Sequence, residues 1–265
     1  MRALLGDLAP VDLKFIIEKG FNLDFHKFLE KRRLNSFYQK RLREIIRERQ
    51  KNKPLEYILK KACFFGLDLY IDERVFIPRP ETELLVETFL EFTEKKKELS
   101  VLDVGTGSAN ISICIALFKP SFRVFSVDIS NSALEVAKKN ASLYKLRNLF
   151  LVNSDLLSCF KENSFDIIIS NPPYVESSYI EGSESLKVEP REALDGGEDG
   201  LVFIRKILNV ANPCLKKEGL LFLEIGYNQK DKVLACREGK NYRLLSIVKD
   251  YAGIERVVVF KSVKG

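Results

Sequence analysis

Val101-Leu102-Asp103-Val104-Gly105-Thr106-Gly107-Ser108-Ala109-Asn110 joins an apolar strand to Ile111-Ser112-Ile113-Cys114-Ile115-Ala116-Leu117, which reads as a buried helix. Strand, glycine turn and helix in that order begin a βαβ unit of a parallel sheet. Glycines at 105 and 107 permit a tight turn and close backbone approach to a ligand. A dinucleotide fingerprint would want a third glycine at position 110, where Asn110 stands, so a nicotinamide cofactor is disfavoured. A pyrophosphate also gains from a helix N-terminus free of nearby anions. Asp103, just before the loop, suits a cationic ligand better, such as a sulfonium with an amino-acid tail.

The alternation continues on both sides. Strands are predicted near 100–104, 122–127, 148–153 and 165–170, with helices near 110–118 and 131–144. This is the pattern of a parallel sheet covered on both faces. A helix over about 200–216, a strand at 220–225, a helix near 228–237 and strands at 242–248 and 257–260 complete seven strands. Asp128 ends the second strand, about 20 residues beyond the glycine loop, where a carboxylate can accept both ribose hydroxyls of a nucleoside. The competing reading makes Asp128 a cap for the helix beginning near Ser130. Ser154, Asp155 and Leu156 follow the third strand and would line an adenine pocket, unless they form an ordinary polar turn.

Asn171-Pro172-Pro173-Tyr174 follows the fourth strand, Phe165-Asp166-Ile167-Ile168-Ile169-Ser170. Open α/β sheets bind ligands at the carboxyl ends of their strands. An amide NH2 needs two acceptors, and an Asn side-chain oxygen with a Pro carbonyl can supply both. A Tyr ring can stack on the flat group. Without the glycine loop upstream, the stretch would read only as a Pro-rich turn. The segment 175–200 after it is too long for a simple connection and is expected to cover the site and order on substrate binding, the alternative being a disordered insertion.

Together these pieces resemble the class I S-adenosylmethionine-dependent methyltransferases, and more narrowly the release-factor glutamine N5-methyltransferases of the HemK family. The likeness covers nearly the whole chain. Besides the glycine loop, Asp128 and Asn171-Pro172-Pro173-Tyr174, it includes the runs at 53–59, 76–83, 189–197 and 250–257. Asn-Pro-Pro-Tyr alone is shared with adenine-N6 methyltransferases; Ile77-Pro78-Arg79-Pro80-Glu81-Thr82-Glu83 and Glu189-Pro190-Arg191-Glu192-Ala193-Leu194 are far more specific. The resemblance implies S-adenosylmethionine as cofactor, held by Gly105, Thr106, Gly107, Ser108, Ala109, Asp128, the Leu156 position and Asn171; the residue reading adds Asp103 and Asp155. It implies that Asn171, Pro172, Pro173 and Tyr174 hold a glutamine, with Asn171, Pro172 and Tyr174 as the catalytic group. It also implies that the last strand is antiparallel and inserted between the fifth and sixth. The substrate implied is the Gly-Gly-Gln glutamine of class 1 peptide-chain release factors. Alternatives are a ribosomal-protein glutamine, an adenine in DNA or RNA, and a non-catalytic module that binds S-adenosylmethionine or RNA. The family often has glycine where Ala109 stands and an aromatic where Leu156 stands; leucine keeps an apolar wall but loses ring stacking.

The chain has 265 residues and is 46% hydrophobic, enough for a substantial core. Residues 1–62 are expected to form a helical substrate-docking domain, 63–79 a β-hairpin linker (63–72 paired with 75–77), and 80–265 the methyltransferase domain. In the first part Leu13, Ile16, Ile17, Phe21, Phe25, Phe28 and Leu29 recur at helical spacing and are expected in its core. Residues 1–72 carry 16 Lys or Arg against 10 Asp or Glu, which accounts for the whole net charge of +6. Lys40, Arg41, Arg43, Arg47, Arg49, Lys51 and Lys53 crowd one predicted helix. Such a run is a solvated face or an attraction for an acidic protein or RNA. Aromatics do not interleave with these basics, so nucleic acid is not expected as substrate. The five cysteines are scattered without a CxxC pair, which suggests reduced thiols. With a single histidine, His26, read as structural, no metal site is expected. No apolar stretch approaches a membrane span, and the first seven residues lack a signal-peptide core, so a cytoplasmic location is expected.

Overall fold

The computed structural model describes residues 8–31 and 34–264. The signal-peptide reading, and the parts of the helical prediction that fall on 1–7 and 32–33, lie outside the described residues. Helices α1 Pro10–Phe15, continued by a π-helical turn at Ile16–Gly20, α2 Phe25–Lys31, α3 Ser36–Arg49 and α4 Leu55–Leu59 make up the amino-terminal part. The Asn35 side chain caps α3 by accepting from the Tyr38 N–H at 2.9 Å, satisfying a donor that the first turn leaves free. Ile16, Ile17, Phe28, Leu42, Ile45 and Ile46 form a small apolar cluster of their own. Leu29 does not join it and is 41% exposed. One residue past Phe28 is about 100° around the helix, so a seven-residue α2 that buries Phe28 turns Leu29 outward. His26 is exposed on the same helix.

The hairpin is tighter than expected. β1 Ala62–Phe64 pairs with β2 Leu67–Leu69, so both strands fall within the first predicted run. Phe65 (φ 51°) and Gly66 (φ 75°) make the corner. Positive φ at both central residues is what a two-residue type I′ turn requires, and it divides a run that looked continuous. The stretch 75–77 forms no strand. Phe64, Leu69, Ile71, Val75 and Ile77 pack with Val86 and Phe89 in the large core of the sheet.

After a short 3₁₀ turn at Pro80–Thr82 come α5 Glu83–Phe92, β3 Ser100–Val104, α6 Asn110–Phe118, β4 Arg123–Asp128, α7 Asn131–Leu143, β5 Leu149–Asn153 and β6 Phe165–Ser170. Then follow α8 Ser177–Gly182, α9 Val202–Cys214, β7 Leu215–Glu224, α10 Lys230–Cys236, β8 Tyr242–Lys249 and β9 Glu255–Ser262. The sheet order is β5-β4-β3-β6-β7-β9-β8. β3 to β7 run parallel, while β9 is antiparallel to both neighbours and lies between the fifth and sixth strands, as the resemblance implied. β7 begins five residues earlier than predicted. Leu215 already pairs with Phe165, and an irregularity precedes Leu220 opposite Ile167; the polar residues 216–219 hide that start. Side chains alternate between the faces: Val101, Ile167, Ile169 and Phe222 enter one core cluster, and Leu102, Ile168, Leu221 and Leu223 the other. The strand order reverses between β3 and β6, which opens a crevice at their carboxyl ends.

Candidate active site

Neighbouring strands bring polar residues to that crevice: Asp128 at the end of β4, Asp103 near the end of β3, Asn171 directly after β6 and Glu224 at the end of β7. A cavity of about 1080 Å³ lies over them. That is at or just beyond the upper end of small-molecule sites and has room for a nucleoside-sized ligand beside a second group. Gly105, Thr106, Gly107, Ser108, Asp128, Asp155, Leu156 and all four residues 171–174 line it. Asp103 and Ala109 belong to the layer behind.

The glycine loop turns through left-handed backbone at Gly105 (φ 72°), Gly107 (φ 54°) and Ala109 (φ 64°) before α6 begins. Ala109 therefore occupies a conformation that favours glycine. Behind the loop, Asp103 is buried and accepts from the hydroxyls of Thr106, at 2.6 Å, and Ser112. Ser126 donates to Ser112 in turn. Burial pushes the Asp103 carboxyl up to about 6 against the pull of those hydroxyls. Its Oδ1 is buried with no hydrogen-bond partner among the described residues.

Asp128 accepts from the Gly107 N–H at 2.8 Å and the Ser130 N–H at 2.9 Å. The cap of α7 is Ser130, whose hydroxyl accepts from the Ala133 N–H at 3.2 Å. A carboxylate has about four acceptor positions, so Asp128 retains capacity toward the cavity. Burial raises its pKa, opposed first by the Ser130 N–H and then by that of Gly107. Leu156 lines the cavity with φ 48°, an unusual backbone for a bulky side chain and of the kind that clusters at functional sites.

The Asn171 amide is held from outside the sheet. Its Nδ2 donates to the buried Thr82 hydroxyl at 2.9 Å, which leaves Oδ1 as the acceptor end. The Tyr174 hydroxyl donates to Glu224 Oε1 at 3.0 Å. The Tyr174 carbonyl accepts from Gln229 Nε2 at 2.9 Å. Gly200 packs so tightly there that a Cβ would lie 2.4 Å from the Tyr174 carbonyl oxygen and 2.5 Å from Gln229 Nε2. Burial raises the Tyr174 pKa.

The segment 175–200 is folded over the crevice. Val175 and Asp195 bridge, α8 forms, and Arg191, Glu192 and Leu194 border the cavity. Its anchor is Glu189, which pairs with Arg79 and accepts from the Ile77 N–H at 3.1 Å. The two most specific sequence runs thus meet one another. Thr82, Ser112, Glu224 and Gln229 were missed from sequence. Glu224 carried a signal, since it ends an apolar strand just as Asp128 does.

Strand order and site together define a class I methyltransferase fold, and the methyltransferase small domain family matches residues 80–188. The crystal structure of a methyltransferase from Pyrococcus furiosus shares this fold, with a TM-score of 0.59 over 82% of this chain and 99% of that one, at 22% identity. The release factor glutamine methyltransferase of Thermodesulfovibrio yellowstonii is 38% identical over 84% of this chain and 81% of its own length. That of Lactococcus lactis is 38% identical over 98% of both. The chain belongs to the release factor glutamine methyltransferase family and is a methyltransferase. No helix among the described residues is long and apolar enough to cross a membrane, and no cluster of three or more His, Cys, Asp or Glu among them could hold a metal.

Proposed function

We propose that the protein transfers a methyl group from S-adenosylmethionine to the side-chain amide nitrogen of the Gly-Gly-Gln glutamine in class 1 release factors, in the cytoplasm. The observation that carries this reading is the Asn171 amide, locked by Thr82 with its oxygen free, on a Pro-Pro corner beside the glycine loop and Asp128 in one cavity. The names of the relatives support the substrate over a ribosomal protein or a nucleic acid.

The residues present fit S-adenosylmethionine. Asp128 has spare acceptor capacity for ribose hydroxyls, Leu156 offers an apolar wall with Asp155 beside it, and the backbone at 105–108 borders the cavity. Asp103 and Ala109 act from behind, by shaping the loop. When bound, S-adenosylmethionine supplies an electrophilic methyl on a sulfonium. A glutamine amide is a poor nucleophile because its nitrogen lone pair is shared with the carbonyl. Asn171 Oδ1 and the Pro172 carbonyl accept its two N–H bonds and fix the nitrogen, so positioning is a large contribution. As positive charge grows on that nitrogen, the same two oxygens stabilise it without reorganising. Pro173 keeps the corner rigid, and Tyr174 walls the flat amide. The helical part, 1–62, docks the release factor, and segment 175–200 closes over its glutamine.

The test is peptide mass spectrometry after incubation with S-adenosylmethionine and an unmodified release factor, with DNA and ribosomal protein in parallel. One methyl on the Gly-Gly-Gln glutamine is expected. Asn171→Ala should slow transfer by about 100- to 1000-fold while leaving the fold intact. Near-normal turnover in that variant would sink the assignment of 171–174.

A further inference from the structure

We infer that Glu224, which touches neither substrate, is a positioning residue that sets the polarity of the Asn171 amide through Thr82 and seats the Tyr174 ring. The inference rests on the proposed role of residues 171–174.

Glu224 is 1% exposed and ends β7. Tyr174 and Thr82 both donate hydroxyl hydrogen bonds to it. An ionised carboxylate is acceptor-only, and a hydroxyl has one proton. Once Thr82 gives its proton to Glu224, only lone pairs face Asn171, so Asn171 must present its N–H there. Oδ1 is thereby directed to the side where a substrate amide needs acceptors. A protonated Glu224 reverses the chain. It can donate to Thr82, whose proton then turns to Asn171, and the amide flips to meet the substrate donor to donor. Glu224 Oε2 is buried without a partner among the described residues and is the oxygen that such a proton would occupy.

The groups facing Glu224 are Thr82 and Glu81 ahead of α5, Tyr174 after β6 and Arg256 on β9. Arg256 favours the ionised form and is itself held by Asp250 at 2.9 Å; Glu81 opposes it. Burial outweighs the hydroxyls and Arg256 and lifts the Glu224 carboxyl to about 7. Reversal therefore falls near neutral pH. Gln229, on the same segment, holds only the Tyr174 backbone and is blind to this proton.

The experiment compares Glu224→Leu, Glu224→Gln, Thr82→Val, the Glu224→Leu/Thr82→Val double variant and Asn171→Ala. The full chain is assayed with S-adenosylmethionine and release factor. Glu224→Leu should lower kcat about 10- to 100-fold, the order of loss a misplacement of about 1 Å causes. It should leave cofactor affinity and the thermal midpoint undiminished, because a buried carboxyl is replaced by an apolar group. Thr82→Val should match it, and the double variant should be no worse than either single change. The wild-type kcat profile should have an acid limb that Glu224→Gln lacks. Wild-type kcat in Glu224→Leu or Thr82→Val, an additive double variant, or an acid limb surviving in Glu224→Gln would each overturn the relay, provided Asn171→Ala is inactive. An active Asn171→Ala would instead overturn the reading of 171–174 and the relay with it. If Glu224→Leu fails to fold, Thr82→Val and Glu224→Gln still decide.

Discussion

Arg79→Ala should loosen segment 175–200 by about 3 kcal/mol. The Glu189 side chain is 3% exposed, whereas that of Arg79 is 35% exposed. Removing one partner of a buried pair costs roughly 3–5 kcal/mol because the other charge is left uncompensated. Two features place this change at the lower end. Glu189 Oε2 keeps its bond from the Ile77 N–H, and water already screens part of the Arg79 charge. The guanidinium also lies 4.6 Å from the centre of the Phe76 ring, a contact contributing about 0.5 kcal/mol at a partly exposed site. Glu189→Gln is the asymmetric control. It keeps an acceptor for Ile77 and leaves an arginine that can hydrate, so it should cost less than about 1 kcal/mol.

The pH dependence of the Arg79→Ala defect has a definite sign. Burial raises the Glu189 pKa above 4.5, and Arg79 is the largest influence opposing it. Without Arg79 the folded pKa rises further. A carboxyl with a raised folded pKa contributes stability below its unfolded pKa and loses it as pH climbs through the folded value. The defect should therefore grow on going from acid to mildly alkaline pH. Hydrogen exchange across 175–200 and thermal unfolding measure it, and KM for the release factor gives its functional consequence. Equal effects of Arg79→Ala and Glu189→Gln, or a defect that deepens on acidification, would refute the reasoning.

Ala109→Gly should be mildly stabilising. Relief of left-handed backbone is worth about 1–2 kcal/mol and a lost buried methyl about 0.8 kcal/mol, so the melting temperature should rise by about 1–2 °C in calorimetry; a fall would mean the loop is not strained there. Asp128→Ala should weaken S-adenosylmethionine binding by about 10- to 100-fold in titration calorimetry; wild-type affinity would remove Asp128 from the cofactor site. Replacing Arg43, Arg47 and Arg49, all exposed on α3, together by Glu should raise KM for the release factor roughly tenfold at low salt. An unchanged KM would mean that the basic helix faces only water.

Much of the fold was legible because parallel strands buried on both faces read as continuous apolar runs. Residues 100–104 and 165–170 are such runs, and their boundaries came out within a residue or two. Local chemistry also marked the site: Gly105, Gly107 and the Asn-Pro-Pro-Tyr corner advertise unusual backbone wherever they occur. The errors share one cause, a local signal overridden by neighbours. Phe65-Gly66 bends a run that looked straight, the polar residues 216–219 conceal the start of β7, and Leu29 has the right spacing on a helix that has already spent its buried face on Phe28.

From sequence alone came the period of each element, the polar residue ending each central strand and the family to which they point, because these depend on residues within a few positions of one another. Partnerships were not written there. Thr82 meets Asn171 across 89 residues, Ile77 meets Glu189 across 112, and Tyr174 meets Glu224 across 50. A hydrogen bond constrains only the two groups it joins, and any hydroxyl or carboxylate in the chain could have served. Which one does is settled when β6 is placed between β3 and β7, with α5 and its preceding turn against their carboxyl ends.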